Sequence, residues 1–275
     1  MRAFAPSLLI LLAACQQQVE PGEPVSRIEI GKREIAAKPS PNASPTIAAS
    51  CSRDEFEGVV VTHCIADPAR HKITTALANE GGPPYRSFAA LERAVVATTI
   101  AFAVNAGMFG EDGKPIGYYV EDSNRLKTLN RADGGGNFHL KPNGVFFGTG
   151  GKWRVLPSDK FFSDIGDRPA FGTQSGPMLV IDGKLHPEFA EEGPSKLIRN
   201  GVGVDAAGRA HFVIADAPVS FGRFARYFRD ELKTPNALYL DGSVSALWDP
   251  ASGRQDARAP LGPLIVVETI AKAAP

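Results

Sequence analysis

Polar residues able to handle a sugar or a phosphate ester cluster where apolar runs meet glycine turns. Asn105 and Gly107 follow the run at residues 100–104. Ser175 lies in Gln174-Ser175-Gly176-Pro177, just before another run. Arg199 and Asn200 precede Gly201, and Asp241, Gly242, Ser243 and Ser245 follow the run at 237–240. Arginine presents a planar fork that matches phosphate oxygens. Aspartate accepts from hydroxyls or serves acid–base chemistry. Asparagine and serine position oxygens, and glycine lets backbone N–H groups come close to a ligand. The same Asp-Gly and Asn-x-Gly pairs also make ordinary turns, so residue types alone leave both readings open.

The elements that must present these residues are short and strand-like. Runs at 59–61, 100–104, 145–147, 178–181, 211–214, 237–240 and 264–267 are apolar and bounded by Gly, Pro or Asn, which suits buried strands. Pro142-Asn143-Gly144 and Ile181-Asp182-Gly183-Lys184 carry hairpin-turn chemistry. One helix is expected from Phe88 to about Thr98. A second begins at Ser220, whose hydroxyl caps it. It sets Phe221, Phe224, Ala225, Phe228 and Leu232 on one face, with Arg223, Arg226, Arg229 and Asp230 toward solvent. Strands outnumber helices without regular alternation, which predicts a single α+β domain: a mixed β-sheet core with flanking helices, from residue 51 to 275.

Several familiar motifs fail on context. Gly201-Val202-Gly203-Val204-Asp205-Ala206 fits G-x-G-x-x-A, but Asp205-Ala206-Ala207-Gly208 reads as a turn into another strand, and a pyrophosphate site requires a helix there. No G-x-S-x-G elbow and no H-E-x-x-H occur, and the five histidines are scattered at 63, 71, 139, 186 and 211. The pattern calls for no metal and no cofactor. Lys+Arg and Asp+Glu are both 30, giving a formal charge of zero, so the basic excess of a backbone-tracking nucleic-acid binder is missing.

The order Asn105-Ala106-Gly107, Asn137-Phe138 with Pro142-Asn143-Gly144, Ser175-Gly176, Arg199 with Gly203, and Asn236-Ala237-Leu238-Tyr239-Leu240-Asp241-Gly242 resembles the phosphodiester glycosidase domain family. The likeness runs from about Val59 to Val267. It is nearest to the bacterial branch in Gln174-Ser175-Gly176-Pro177-Met178-Leu179, Arg199-Asn200-Gly201-Val202-Gly203 and Leu240-Asp241-Gly242-Ser243. It departs at Ser243-Val244-Ser245, where the lysosomal uncovering enzyme of the family has Gly-Gly-Ser. The resemblance implies cleavage of a glycosyl phosphodiester. Arg199 would hold the phosphate oxygens, and Asp241 would act as nucleophile or general base. Asn105, Gly107, Ser175, Asn200, Gly242, Ser243 and Ser245 would bind the carbohydrate or sugar-phosphate substrate. A second carboxylate would come from Glu111, Asp205 or Asp216. This reading requires Arg199 and Asp241 to share the floor of one solvent-reachable cavity. The alternatives are a non-catalytic lipoprotein that binds glycan or a partner, and a hydrolase with Ser175 or Ser245 as nucleophile.

The N-terminus carries a separate message. Met1-Arg2, the apolar run at 8–12 and Leu12-Ala13-Ala14-Cys15 have the layout of a secretory signal over residues 1–14, too short for a spanning helix. The cysteine directly after the small residues resembles the bacterial lipobox, which implies lipidation at Cys15. With Gln16 next, it implies a periplasm-facing protein on the outer membrane, held by its lipid alone. Residues 15–50, with Pro39-Ser40-Pro41-Asn42-Ala43-Ser44-Pro45, are expected to be a flexible tether. Cys51 and Cys64 are then available for a disulfide in an oxidising compartment, with two free thiols as the alternative.

Overall fold

The computed structural model describes residues 49–95 and 97–270. The signal segment, Cys15 and nearly all of the expected tether lie outside the described residues. Three sheets make up the domain. The first has seven strands in the spatial order Cys51–Phe56, Val59–Ala66, Ala210–Ala215, Asn200–Val204, Asn236–Tyr239, Met178–Ile181 and Lys184–Leu185. The second runs Arg254–Gln255, Leu247–Asp249, Ile100–Asn105, Leu264–Thr269, His71–Ala76. The third runs Asn124–Lys127, Tyr119–Glu121, Phe171–Ser175, Gly144–Thr149, Lys152–Pro157.

Every expected apolar run falls on a strand, apart from a residue or so at the ends. The mixed sheet is corrected: each pairing between these strands is antiparallel. Six of these pairings are hairpins between consecutive strands, which only antiparallel order allows, and the other eight join strands apart in sequence. The domain is accordingly α+β only in a sheet-dominated sense. The helix expected from Phe88 closes at Glu92, followed by a 3-10 turn at Ala97–Thr99.

Side-chain alternation explains the core. Phe212 points inward and Val213 outward from the same strand. Phe146, Phe212 and Phe102, one from each sheet, meet edge to face at centroid distances of 5.7 and 5.4 Å, so one aromatic contact line joins all three sheets. On the outer face of the seven-stranded sheet, Val61, Val213 and Tyr239 pack against the helix Phe221–Arg226 and its continuation Tyr227–Glu231. Ser220 caps this helix as expected, its Oγ accepting from the Arg223 N–H at 3.2 Å. Arg223 and Arg226 do not simply face solvent: both pair with Glu57 and Glu192.

Two turn expectations divide. Asp182-Gly183 forms a two-residue hairpin with φ of 45° and 78°, joining Ile181 to Lys184. Asn143 instead turns inward, its Nδ2 donating to Phe138 O at 2.8 Å, and Gly144 opens a strand. The Gly201–Ala206 segment is a strand leading into a hairpin, so the dinucleotide motif lacks its helix. Cys51 and Cys64 face each other across adjacent strands and are disulfide-bonded.

The first sheet also joins two histidines that lie far apart in the chain. His63 Nε2 and His211 Nδ1 are 2.9 Å apart, with Asp54 3.4 Å from His63 Nδ1 and Asp205 3.1 Å from His211 Nε2. Neutral rings supply two protons for these three links. Burial, then the neighbouring His211, holds the His63 pKa down at about 4, and burial lowers that of His211. A depressed histidine pKa means that the unfolded chain binds protons more readily. Stability is therefore full above the unfolded value of about 6.5 and is lost as the pH falls towards 4. Urea unfolding should show a loss of about 2 kcal/mol across that window, and His63→Asn should flatten the dependence.

Candidate active site

The two residues expected to carry chemistry become cross-strand neighbours. Asn200–Val204 and Asn236–Tyr239 are antiparallel with Gly201 opposite Tyr239, and Leu240 N donates to Asn200 O at 3.0 Å. Continuing this register by two residues sets Arg199 opposite Asp241. Both lie at the strand ends, where rigid sheet gives way to loop.

Their surroundings differ. Asp241 is 8% exposed and borders the exposed Ser243. It caps the 3-10 turn Gly242–Val244, one carboxylate oxygen accepting from the Ser243 N–H at 3.1 Å. Burial raises its pKa, opposed by the Ser243 hydrogen bonds. Arg199 is 0% exposed. Its Nε donates to Val219 O at 2.8 Å and its Nη2 to Ser195 O at 2.9 Å, while the guanidinium carbon stacks 3.5 Å from the Phe221 ring centroid. Nη1 is buried with no hydrogen-bond partner. Among the described residues, no acidic residue pairs with Arg199, and burial lowers its pKa. The register brings the two positions to the ends of neighbouring strands, but neither group acts on the pKa of the other. The expected exposure of Arg199 is absent, because Phe221 and the segment carrying Ser195 cover the guanidinium. A full fork for phosphate is already spent on carbonyls, and one N–H direction is left.

Three residues expected to bind substrate instead build the scaffold. Asn105 Oδ1 accepts from Asn200 Nδ2 at 2.8 Å and from the Ala246 N–H at 2.9 Å, and its Nδ2 donates to Asp241 O at 2.8 Å. Ser245 Oγ lies 3.2 Å from Asn200 Oδ1 and 3.1 Å from Gly242 O. These amides are buried and satisfied within the protein. Gly107 is likewise internal: its N–H donates to Thr173 Oγ1, and a β-carbon there would overlap the Gln174 carbonyl. Ser175 is wholly buried with its hydroxyl unpartnered, and neither Ser175 nor Ser245 has a hydrogen bond to a histidine. Gly242 and Ser243 flank the Asp241 carboxylate at the surface.

The candidates for a second carboxylate scatter. Asp205 pairs with Arg209 and His211 at the far end of the Asn200–Val204 strand, Asp216 pairs with Arg254, and Glu111 is on an exposed loop. Among the described residues, no group of three or more His, Cys, Asp or Glu is placed to hold a metal ion.

Tyr239 was hidden inside an apolar run and is the residue that sequence reasoning missed. Its ring lies 4.8 Å from that of Phe221 and 5.6 Å from the Arg199 guanidinium carbon, and its hydroxyl lies against Gly242. A β-carbon at position 242 would overlap that hydroxyl. Gly242 is thus explained by Tyr239, which links the arginine to the aspartate loop. The signal available in the sequence was the tyrosine itself, since a buried phenol requires a polar partner.

Replacing Asn200 by Ala should cost about 2 kcal/mol in urea unfolding, because it strands buried acceptor and donor groups on Asn105 and Ser245. A residue that only touched substrate would leave the midpoint unchanged.

Comparison with known proteins identifies the family. The family described as phosphodiester glycosidase matches residues 98–267, more than half of the chain. An uncharacterized protein of Escherichia coli K12, YigE, is 34% identical over 169 residues, which span 62% of this chain and 66% of that protein, just under two thirds of its length. In fold, the chain is similar to the zebrafish N-acetylglucosamine-1-phosphodiester alpha-N-acetylglucosaminidase catalytic domain, auto-inhibited by its pro-peptide. The TM-score is 0.52 and the identity 15%, over 80% of this chain and 82% of that one. A hypothetical protein from Synechocystis aligns at a TM-score of 0.49 and 16% identity, over 80% of this chain and 61% of that one. With the matched segment running from the strand that ends in Asn105 through Arg199 and Asp241 to the strand Leu264–Thr269, the chain belongs to the phosphodiester glycosidase family.

Proposed function

We propose that this protein hydrolyses a glycosyl phosphodiester, freeing the sugar and leaving a phosphomonoester, with Asp241 as the reacting carboxylate. The observation that carries this reading is the placement of Asp241. Its pKa is raised by burial, and it sits where the strand Asn236–Tyr239 gives way to the turn bearing the exposed Ser243. In the reaction, the bond between the anomeric carbon and the phosphate oxygen breaks, and its electron pair leaves with the phosphate. Water supplies the oxygen that replaces it. Asp241 acts at the anomeric carbon as nucleophile or as the base that takes the proton of water. Phosphate is already a fair leaving group, so little protonation is required on that side.

Arg199 contributes positive potential in a low-dielectric setting, where charge acts over longer range. It does so through Nη1 and through Tyr239, which it orients towards Gly242. A phosphate reaching Nη1 directly requires the Ser195 segment to shift. Ser243 and the Gly242 backbone border the sugar side of the site. The substrate class follows from family membership and from the oxygen-rich loop ends, and a raised pKa makes the ionised Asp241 a stronger base.

The leader sequence supports a lipid-anchored protein of the cell envelope, attached at Cys15 and facing the periplasm. Cys15→Ser should move the protein from the membrane fraction to the soluble fraction.

Asp241→Asn should lower kcat/KM on a chromogenic sugar-1-phosphodiester by about a thousandfold. The sign for stability is opposite. A carboxyl whose folded pKa is raised disfavours folding at neutral pH, so the variant should keep or raise Tm. The acid limb of the kcat/KM profile should lie above the ordinary carboxylate value of about 4. Full turnover by Asp241→Asn ends this assignment.

A further inference from the structure

The third sheet carries a cavity remote in composition from the Asp241 site. It has a volume of about 530 Å³ and lies beside the helix Ser158–Asp164, on the sheet face that packs Tyr118, Phe147 and Phe161. Its floor is apolar: Tyr118, Leu129, Phe161 and Ile165. Three arginines from three different segments converge on it. Arg125 comes from the strand Asn124–Lys127, Arg131 from the loop beyond that strand, and Arg168 from the loop after the helix. Arg131 stacks over Phe162 with its guanidinium carbon 4.6 Å from the ring centroid, and Phe162 is 60% exposed.

The charges are poorly neutralised. Arg131 meets Asp159 at 3.4 Å with both side chains exposed, a pairing that contributes little in water. Among the described residues, Arg168 reaches only the Ser123 carbonyl, at a long 3.4 Å, and Asp167 is the one carboxylate lining the cavity. Arg125 and Arg168 both lie close enough to the Tyr118 phenol to oppose the upward shift that burial gives its pKa, so both guanidiniums address the cavity floor. A protein gains nothing in stability by gathering like charges over an apolar hollow. The arrangement is complementary to a ligand with an anionic head and an apolar body.

We propose that this cavity binds a phosphate ester carrying an apolar or aromatic group. The guanidiniums of Arg125, Arg131 and Arg168 take the phosphate oxygens, and Tyr118, Phe161 and Phe162 cover the body. The loop that lines the cavity is pinned to the third sheet. Asn130, between the lining residues Leu129 and Arg131, is held by Gln174 through hydrogen bonds of 2.9 and 2.7 Å, and Gln174 precedes Ser175.

The test is titration of the protein with phenyl phosphate, inorganic phosphate and phenol, followed by nuclear magnetic resonance shifts or calorimetry. Phenyl phosphate should bind saturably and more tightly than either fragment. Arg125→Gln with Arg168→Gln should weaken it about tenfold, while Asp241→Asn should leave it unchanged. Circular dichroism and Tm should be unaltered, since both arginines are exposed. Vesicles of phosphatidylglycerol against phosphatidylcholine separate the two sources of such an ester. Capture on the anionic vesicles that is lost in the arginine variant makes the ester a lipid headgroup, and phenyl phosphate binding without capture makes it a soluble ester. No saturable binding at about 10 mM overturns the proposal. So does equal affinity in the arginine variant, or binding abolished by Asp241→Asn instead.

Discussion

Asn105 is the constraint on which the rest of the site depends. It ends a strand of the second sheet, yet its three short amide contacts are to other segments: Asn200 of the first sheet, and Asp241 and Ala246 of the loop that carries the carboxylate. One fully buried side chain thereby ties two sheets together and fixes the course of the loop that carries Asp241. The low dielectric around it strengthens each hydrogen bond, and the same low dielectric makes any unsatisfied remainder costly. Asn200 and Ser245 extend the network, so the loop is held from beneath while Gly242 and Ser243 stay at the surface.

On this rigid base the protein keeps two groups in unfavourable states. Asp241 is a carboxylate in a setting that disfavours its charge, and Arg199 is a buried cation with no counter-ion and one unused donor. Both would be errors in a purely structural core. Arg199 is made tolerable by two carbonyl contacts and by the faces of Phe221 and Tyr239. Tyr239 then passes its orientation to the aspartate loop, and Gly242 exists because nothing larger fits against that phenol.

Much of this was legible in the sequence, for reasons that differ by element. Buried strands flanked by Gly, Pro and Asn announce themselves, which is why residues 100–104 and 237–240 were readable. Arg199 and Asp241 stood out because polar residues at strand ends are presented by the sheet. Their partners in space were not legible, because antiparallel pairing between distant segments leaves no local trace. The direction in which an asparagine points was hidden for the same reason: Asn105, Asn200 and Ser245 have the right chemistry for a ligand and use it on each other. Gln174 belongs with them, pinning the loop at Asn130 rather than facing substrate. His63 and His211 looked scattered because they are 148 positions apart, and only the register of two adjacent strands unites them.

The central claim is that the sugar is cleaved at Asp241, with the phosphate on the Arg199–Tyr239 side. A crystal structure with a non-hydrolysable glycosyl phosphonate tests it most directly. The account predicts the anomeric carbon about 3–3.5 Å from an Asp241 oxygen, with the phosphonate turned towards Tyr239 and Arg199 Nη1. An analogue bound with its anomeric carbon far from Asp241, or with its phosphonate turned away from Arg199, would contradict it.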